Sequence, residues 1–259
     1  MLMSLICFPN DIIRLLARAA FFVCAATSAF AGEAFVDRFE DGGDGDIWRT
    51  SDYHNPARWI DTRWSPKALD WRDGGGVSIH LTPDDTGIKA FRSGEMRTGR
   101  LTHYGRYEVV MQAAAGDGLN SAFFTYTGPH RDERHDEIDF EFLGRDTSKV
   151  WLNYYVDGDA QLSLLADLGF DAAAGAHRYA FEWTETSIRW FVDDVLLHEI
   201  STPSDPPPPT TPGQIYISLW AGHPSIRDWL KTPDPATHAT ARFECVSYTP
   251  DLPAQPACW

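Results

Sequence analysis

Glu137, Asp139 and Glu141 occupy alternate positions of the run H-D-E-I-D-F-E-F-L-G (135–144), interleaved with Ile138, Phe140 and Phe142. Alternation is the period of a β-strand, whose successive side chains point to opposite faces, so the acids share one face and the apolar residues the other. A helix would scatter them. A solvated strand face usually interleaves both signs, whereas no Lys or Arg stands among these positions and the aromatic stretch Phe123, Phe124, Tyr126 precedes them. Like charges crowded on one face raise at least one carboxyl pKa, leaving an acid that can donate a proton beside a carboxylate that can attack. Cleavage of a glycosidic bond requires that division of labour. Cα atoms four residues apart on a flat strand are about 13 Å apart, so strand twist and a concave sheet must bring the two Glu carboxyls together.

The elements that would position these acids are themselves strands. Short alternating segments recur at 77–81, 107–112, 150–155, 177–183, 188–193 and 215–219, separated by Gly, Pro, Asp and Asn clusters. Val192-Asp193-Asp194-Val195 reads as a hairpin turn. The prolines at 206–209 read as a stiff surface loop between two strands. Neither an internal repeat nor a long helical pattern is present, and the length beyond residue 31 suits one β domain. The fold class predicted is all-β, an antiparallel two-sheet sandwich.

Residues 1–31 read as a cleavable signal peptide: Arg14 and Arg18 precede the apolar stretch 19–26, and Ala29-Phe30-Ala31 forms an A-x-A cleavage site. Export to the periplasm or medium and a single mature domain, 32–259, are therefore expected, with an uncleaved anchor as the alternative. The apolar stretch falls short of the roughly 20 residues of a membrane span, as does every later segment, so no stable membrane association is expected. Cleavage leaves Cys245 and Cys258 in an oxidising compartment, as one disulfide or two free thiols. A bridge so near the terminus would restrain a tail rather than the core, so Cys258→Ser is expected to shift the melting temperature only slightly. With 37 acidic and 22 basic residues the formal net charge is −15. That argues against nucleic acid as a partner and suits a neutral substrate, while an anionic polymer would need locally placed cations. A monomer is expected.

At the carboxylate motif the chain resembles glycoside hydrolase family 16, in the branch with E-x-D-x-E on an unbulged strand that includes bacterial lichenases (endo-β-1,3-1,4-glucanases) and rhizobial exopolysaccharide depolymerases. The likeness runs from Phe35 through S-A-F-F-T-Y-T-G-P (121–129), D-E-I-D-F-E-F-L-G (136–144), V-W-L-N-Y-Y (150–155), Y-A-F-E-W (179–183), I-R-W-F-V-D (188–193) and I-S-L-W (217–220) to Ser247-Tyr248-Thr249. It implies a concanavalin A-like jelly roll with a substrate cleft on its concave face. It further implies that Glu137 is the nucleophile, Glu141 the general acid/base and Asp139 the group that orients and tunes the nucleophile, in a retaining double displacement.

Substrate contacts follow from the same resemblance: Tyr53 and Asn55 in S-D-Y-H-N, Glu95 and Arg97 in S-G-E-M-R, Phe124, Tyr126, His135, Asn153, Tyr155, Trp220, and Trp229 in R-D-W-L. Trp71, Trp183 and Trp190 have no such match and are assigned to packing. Three departures stand out. Thr62 and Ser93 occupy the positions of the lichenase disulfide, so that bridge is absent. His135 replaces a lichenase Trp, as in the exopolysaccharide depolymerases, which share G-L-N-S-A-F-F-T-Y (118–126); it either hydrogen-bonds sugar or caps the strand. The family often binds a structural calcium through an Asp near the C-terminal strand, where this chain offers Glu244, one methylene longer. The chemistry itself calls for no cofactor. Endo-hydrolysis of β-1,3/β-1,4-linked glucan leads the functional readings, with the producer's own succinoglycan-like exopolysaccharide as alternative substrate. Transglycosylation and a non-catalytic carbohydrate-binding module rank below, the intact carboxylate triad arguing against the latter.

Overall fold

Gly, Pro, Asp and Asn break the chain into short extended segments, each apolar on one side. The computed structural model describes residues 32–43 and 45–258, so the signal-peptide reading of 1–31 lies outside the described residues. The strands are β1 Phe35–Asp37, β2 Trp48–Thr50, β3 Thr62–Trp64, β4 Leu69–Trp71, β5 Val77–Pro83, β6 Phe91–Ser93, β7 Glu95–Thr98, β8 Gly105–Gln112 and β9 Leu119–Thr127. They continue as β10 Asp136–Leu143, β11 Lys149–Val156, β12 Asp159–Ala160, β13 Leu164–Asp167, β14 His177–Trp183, β15 Ser187–Val192, β16 Val195–Ser201, β17 Gln214–Ala221 and β18 Ala239–Thr249. A single helical turn, α1 Arg227–Leu230, carries Trp229.

Two sheets form the sandwich. The first runs β16-β15-β14-β8-β18-β5-β6-β3, with β1 on β18 and β4 on β5; the second runs β12-β11-β10-β9-β17-β7-β2, with β13 on β11. The expected antiparallel jelly roll is thereby observed, with one parallel pair, β3 on β6, where Trp64 lies opposite Ser93. The β15–β16 hairpin turns at Asp193 and Asp194, both at positive φ (46° and 67°), as a two-residue turn of matching twist requires.

Ile138, Phe140 and Phe142 are fully buried between the sheets. Phe142 meets Tyr179 of β14 edge-on at 4.6 Å, and Phe123 of β9 meets Phe181 at 5.7 Å. Trp190 crosses from β15 to donate its indole N–H to the Asp139 carbonyl at 3.2 Å, so the first sheet grips the backbone of the strand that carries the acids. Trp183 and Trp190 are core residues as expected. Trp71 also packs, but at the surface: it is 36 % exposed and covers Phe39 at the edge of the first sheet. The segment 206–209 is not wholly superficial, since Pro208 and Pro209 are buried, Pro206 O accepts the Tyr154 hydroxyl at 2.8 Å and Pro209 O accepts the Trp183 indole at 2.9 Å.

The C-terminal tail also departs from expectation. Glu244 is the extra residue of a β-bulge between β18 and β8, where Phe243 lies opposite Met111 and Cys245 opposite Val110. That extra residue reverses the alternation. Phe243, Val246 and Tyr248 stay in the core while Cys245 turns outward to the bridge with Cys258. The tail is held over the outer face, Ala257 N and Cys258 N donating to Glu108 Oε2 at 2.7 and 3.1 Å and Arg38 Nη2 donating to Ala257 O at 3.0 Å. Cys258 is fully buried. A terminus seated this way retains little freedom, which removes the reason for expecting a negligible effect of Cys258→Ser.

Candidate active site

Cross-strand register on the outward face of the second sheet sets the acids in rows. Glu137 stands between Tyr126 of β9 and Tyr155 of β11, Asp139 between Phe124 and Asn153, and Glu141 between Ala122 and Trp151. Strand β17 extends the rows with Gln214, Tyr216 and Ser218, and β7 adds Arg97 beside Tyr216 and Glu95 beside Ser218. The third row therefore reads Glu141, Ala122, Ser218, Glu95. Two small side chains separate two acids across three strand spacings, about 14 Å, and leave a trough running across the strands.

That trough is the floor of a cleft of ≈ 1100 Å³, lined by Glu137, Asp139, Glu141 and by every substrate-contacting residue named from the sequence: Tyr53, Asn55, Glu95, Arg97, Phe124, Tyr126, His135, Asn153, Tyr155, Trp220 and Trp229. They do not present equally. Tyr53 is 43 % exposed, whereas Glu95, Asn153 and Trp220 are buried and offer the cleft only an edge. Trp220 packs with Trp64, Leu143 and Leu230 in a second apolar cluster beneath one end of the cleft, and its ring centroid is 6.1 Å from that of Trp229.

Asp139 is held well above the ordinary carboxylate range, first by burial and then by the charges of Glu137 and Glu141. Its Oδ2 is buried with no N–H or O–H donor in reach, and the Glu137 carboxyl lies against the same side chain. Two acceptors in that relation are compatible only with a proton between them. Burial and the Glu137 charge push Glu141 up to about 8, opposed by the Asn120 amide, which donates to Glu141 Oε1 at 2.6 Å. Burial also lifts Glu95 to about 7, against the Ser51 hydroxyl, Arg97 and Tyr53, so at neutral pH it can donate or accept toward a sugar hydroxyl. The site thus keeps one carboxyl protonated near neutrality on the same strand face as a second carboxyl, the pair that acid-assisted displacement at a glycosidic carbon needs.

Asn120, Trp151, Tyr216 and Trp59 went unnamed in the sequence reading. Asn120 shares the face of Ala122 and Phe124, and Trp151 that of Asn153, so strand parity could have found both. Tyr216 stacks on Phe124 at 5.0 Å, a cross-strand contact that depends on sheet order. Trp59, 54 % exposed on the cleft wall, sits in a loop without periodicity. At the lost lichenase bridge, the Thr62 hydroxyl accepts Ala221 N at 2.8 Å and so ties β3 to the end of β17. Glu244 lies on the other sheet. Its carboxylate faces Arg72 Nη1 at 3.5 Å, and among the described residues no set of three His, Cys, Asp or Glu side chains is placed to hold a metal ion. So arranged, Glu244 is a partner for arginine.

One test follows from the Asn120 contact. Donation to Oε1 favours the charged form of Glu141, so Asn120→Ala is expected to move the basic limb of the kcat/KM profile to higher pH and to lower kcat about ten-fold, through loss of an oriented acid. A basic limb that stays in place would mean that Asn120 does not tune Glu141.

The family model for glycosyl hydrolases family 16 matches residues 57–242. A β-glucanase of Bacillus subtilis (strain 168) is 38 % identical over 229 residues, covering 88 % of this chain and 91 % of that protein. The endo-1,3-1,4-β-glycanase ExoK of Rhizobium meliloti (strain 1021) is 39 % identical over 202 residues, 77 % of this chain and 72 % of that protein. Among solved structures, a Bacillus licheniformis β-glucanase superposes with a TM-score of 0.78 at 37 % identity, covering 84 % of this chain and 98 % of that one.

Proposed function

The chain belongs to glycosyl hydrolase family 16, and from that premise we propose that it is an exported, retaining endo-β-glucanase acting on β-1,3/β-1,4-linked glucan. Glu137 attacks the anomeric carbon as the glycosidic C–O bond breaks and the Glu141 proton passes to the leaving oxygen. Glu141, now a carboxylate, then takes a proton from water, whose oxygen displaces Glu137 from the same carbon. Asp139 shares its proton with Glu137 and is not consumed. Tyr53, Asn55, Glu95, Arg97, Phe124 and Tyr126 grip glucosyl units on one side of the cleavage point, with aromatic faces on the apolar ring surfaces and polar groups on the hydroxyls. Both reacting groups are side chains of β10, so these steps need no cofactor.

The observation that carries this reading is the pairing of Glu141, lifted to about 8 and held by Asn120, with Glu137 on one strand face inside a cleft open at its surface. Proton NMR of the first product from lichenan tests it. Attack by Glu137 on the anomeric carbon passes through a glycosyl-enzyme, so the β-anomer is expected before mutarotation. Initial α-anomer would refute the double displacement, and absence of new reducing ends would refute hydrolysis.

A second substrate reading rests on His135 and G-L-N-S-A-F-F-T-Y (118–126), and on the 39 % identity to the glycanase ExoK. Digestion of lichenan, laminarin, xyloglucan and succinoglycan with linkage analysis of the products separates the two, since a depolymerase of the exopolysaccharide would favour succinoglycan over lichenan in kcat/KM.

A further inference from the structure

His135 makes a contact that neither sequence reading anticipated. Its Nε2 lies 2.6 Å from Glu137 Oε2, within a charge-assisted hydrogen bond. The ring is fixed on two sides, stacked on Tyr155 at 4.9 Å and 18° and meeting Tyr126 edge-on at 5.1 Å. Its backbone is fixed as well. Gly158 N donates to His135 O at 2.8 Å from the turn between β11 and β12, and Gly158 adopts φ +87°, a conformation that favours glycine. Asp157 N of the same turn donates to Asp136 Oδ1 at 3.1 Å, and Asp136 Oδ2 accepts Thr210 N and Thr211 N at 3.2 and 3.1 Å. The start of β10 is thus tied to two loops, and the imidazole leaves the carboxylate only by giving up its ring contacts with Tyr155 and Tyr126.

We propose that His135 is a positioning residue for the nucleophile: its Nε2–H holds Glu137 Oε2, leaves the other carboxylate oxygen to face the anomeric carbon, and sets one positive charge against three crowded carboxyls. The proposal rests on the reading of Glu137 as nucleophile. Facing Glu137 are Asp139 and Glu141 from its own strand, Tyr126 from β9 and Tyr155 from β11, with Asp136 behind His135; none of these is a cation. The bond to Glu137, followed by the Glu137 and Asp136 charges, holds the imidazolium above its ordinary range despite burial. In the glycosyl-enzyme the same N–H meets the ester carbonyl oxygen, and when water displaces the sugar it receives the returning carboxylate. His135 keeps its proton through both steps.

Two experiments test this. The first needs no substrate: the ring nitrogens of His135 are titrated by ¹⁵N NMR in the parent and in Glu137→Gln. Removing the carboxylate charge is expected to move the His135 titration to lower pH, and an unchanged titration overturns the proposal whatever the enzyme hydrolyses. The second compares His135→Phe, which keeps the ring on Tyr155 but has no donor, with His135→Gln, which has a neutral donor. For His135→Phe, kcat is expected to fall about ten- to a hundred-fold with KM within about two-fold, and the acid limb of kcat/KM to move to higher pH. For His135→Gln, part of kcat returns and the acid limb stays displaced. A rise in KM with kcat and acid limb unchanged would make His135 a sugar ligand and overturn the proposal, as would two variants indistinguishable from the parent. If His135→Phe does not fold, the titration decides alone. If the parent releases no reducing ends from any of the four polysaccharides, the glycanase reading fails while the titration still reports on the contact.

Discussion

Glu137→Gln and Glu141→Gln are each expected to lower kcat by about three orders of magnitude or more while the thermal melt stays near that of the parent. Both replacements keep side-chain shape, and in the proposed mechanism each removes the group that attacks or the group that protonates. The core beneath is untouched, because Ile138, Phe140 and Phe142 face the other way and remain buried. Azide separates the roles. With Glu141→Ala and an activated aryl glycoside, which departs without a proton, the glycosyl-enzyme forms and a small anion can displace it, so turnover returns and a β-glycosyl azide accumulates. With Glu137→Ala no glycosyl-enzyme forms, and no β-glycosyl azide is expected. The opposite pattern would exchange the two assignments. The parent should also lose kcat/KM above roughly the pH at which Glu141 gives up its proton, about 8, because the leaving oxygen then has no donor.

The second large effect lies on the opposite face and concerns stability. Glu108 is 1 % exposed and accepts Arg106 Nε at 2.6 Å, the Ser247 hydroxyl at 3.2 Å and the backbone N–H groups of Ala257 and Cys258. Arg106 continues to Glu182 at 3.1 Å, and Glu182 to Arg189. Removing one member of a buried network leaves its partners uncompensated, at about 3–5 kcal/mol. Glu108→Ala should therefore lower Tm by roughly 6–20 °C, taking about 2–4 °C per kcal/mol for a domain of this size. Cys258→Ser should cost about 2–3 kcal/mol, the scale of a closed loop of this length, since the tail is seated and not free. Calorimetric melts of both variants, with kcat measured on lichenan, provide the check. A Tm for Glu108→Ala within about 2 °C of the parent would show that the network contributes nothing net, and a large fall in kcat in either folded variant would couple the tail to the cleft, contrary to the placement of the two faces.

The two faces of β10 were legible without any structure because strand alternation is local. Each residue's side is set by its neighbours two positions away, so Glu137, Asp139 and Glu141 could be separated from Ile138, Phe140 and Phe142 by inspection. The same locality made the Asp193-Asp194 turn and the strands at 77–83, 105–112, 149–156, 177–183, 187–192 and 214–221 readable to within about two residues at each end, and family motifs carried the cleft residues from Tyr53 to Trp229. What remained hidden depends on which strands become neighbours and in what register. Asn120 meets Glu141 because β9 lies beside β10, and Ser218 and Ala122 open the trough only when β17, β9 and β10 align. His135 meets Glu137 because the Tyr155 ring and the turn at Gly158 fix it in place. The bulge at Glu244 broke alternation where no sequence signal marks an extra residue, turning Cys245 outward and giving the tail a buried seat on Glu108. Local chemistry thus determined which residues could act and on which side of their strand they stand. Long-range pairing, whose cost and reward are settled across the whole sandwich, decided which of them touch.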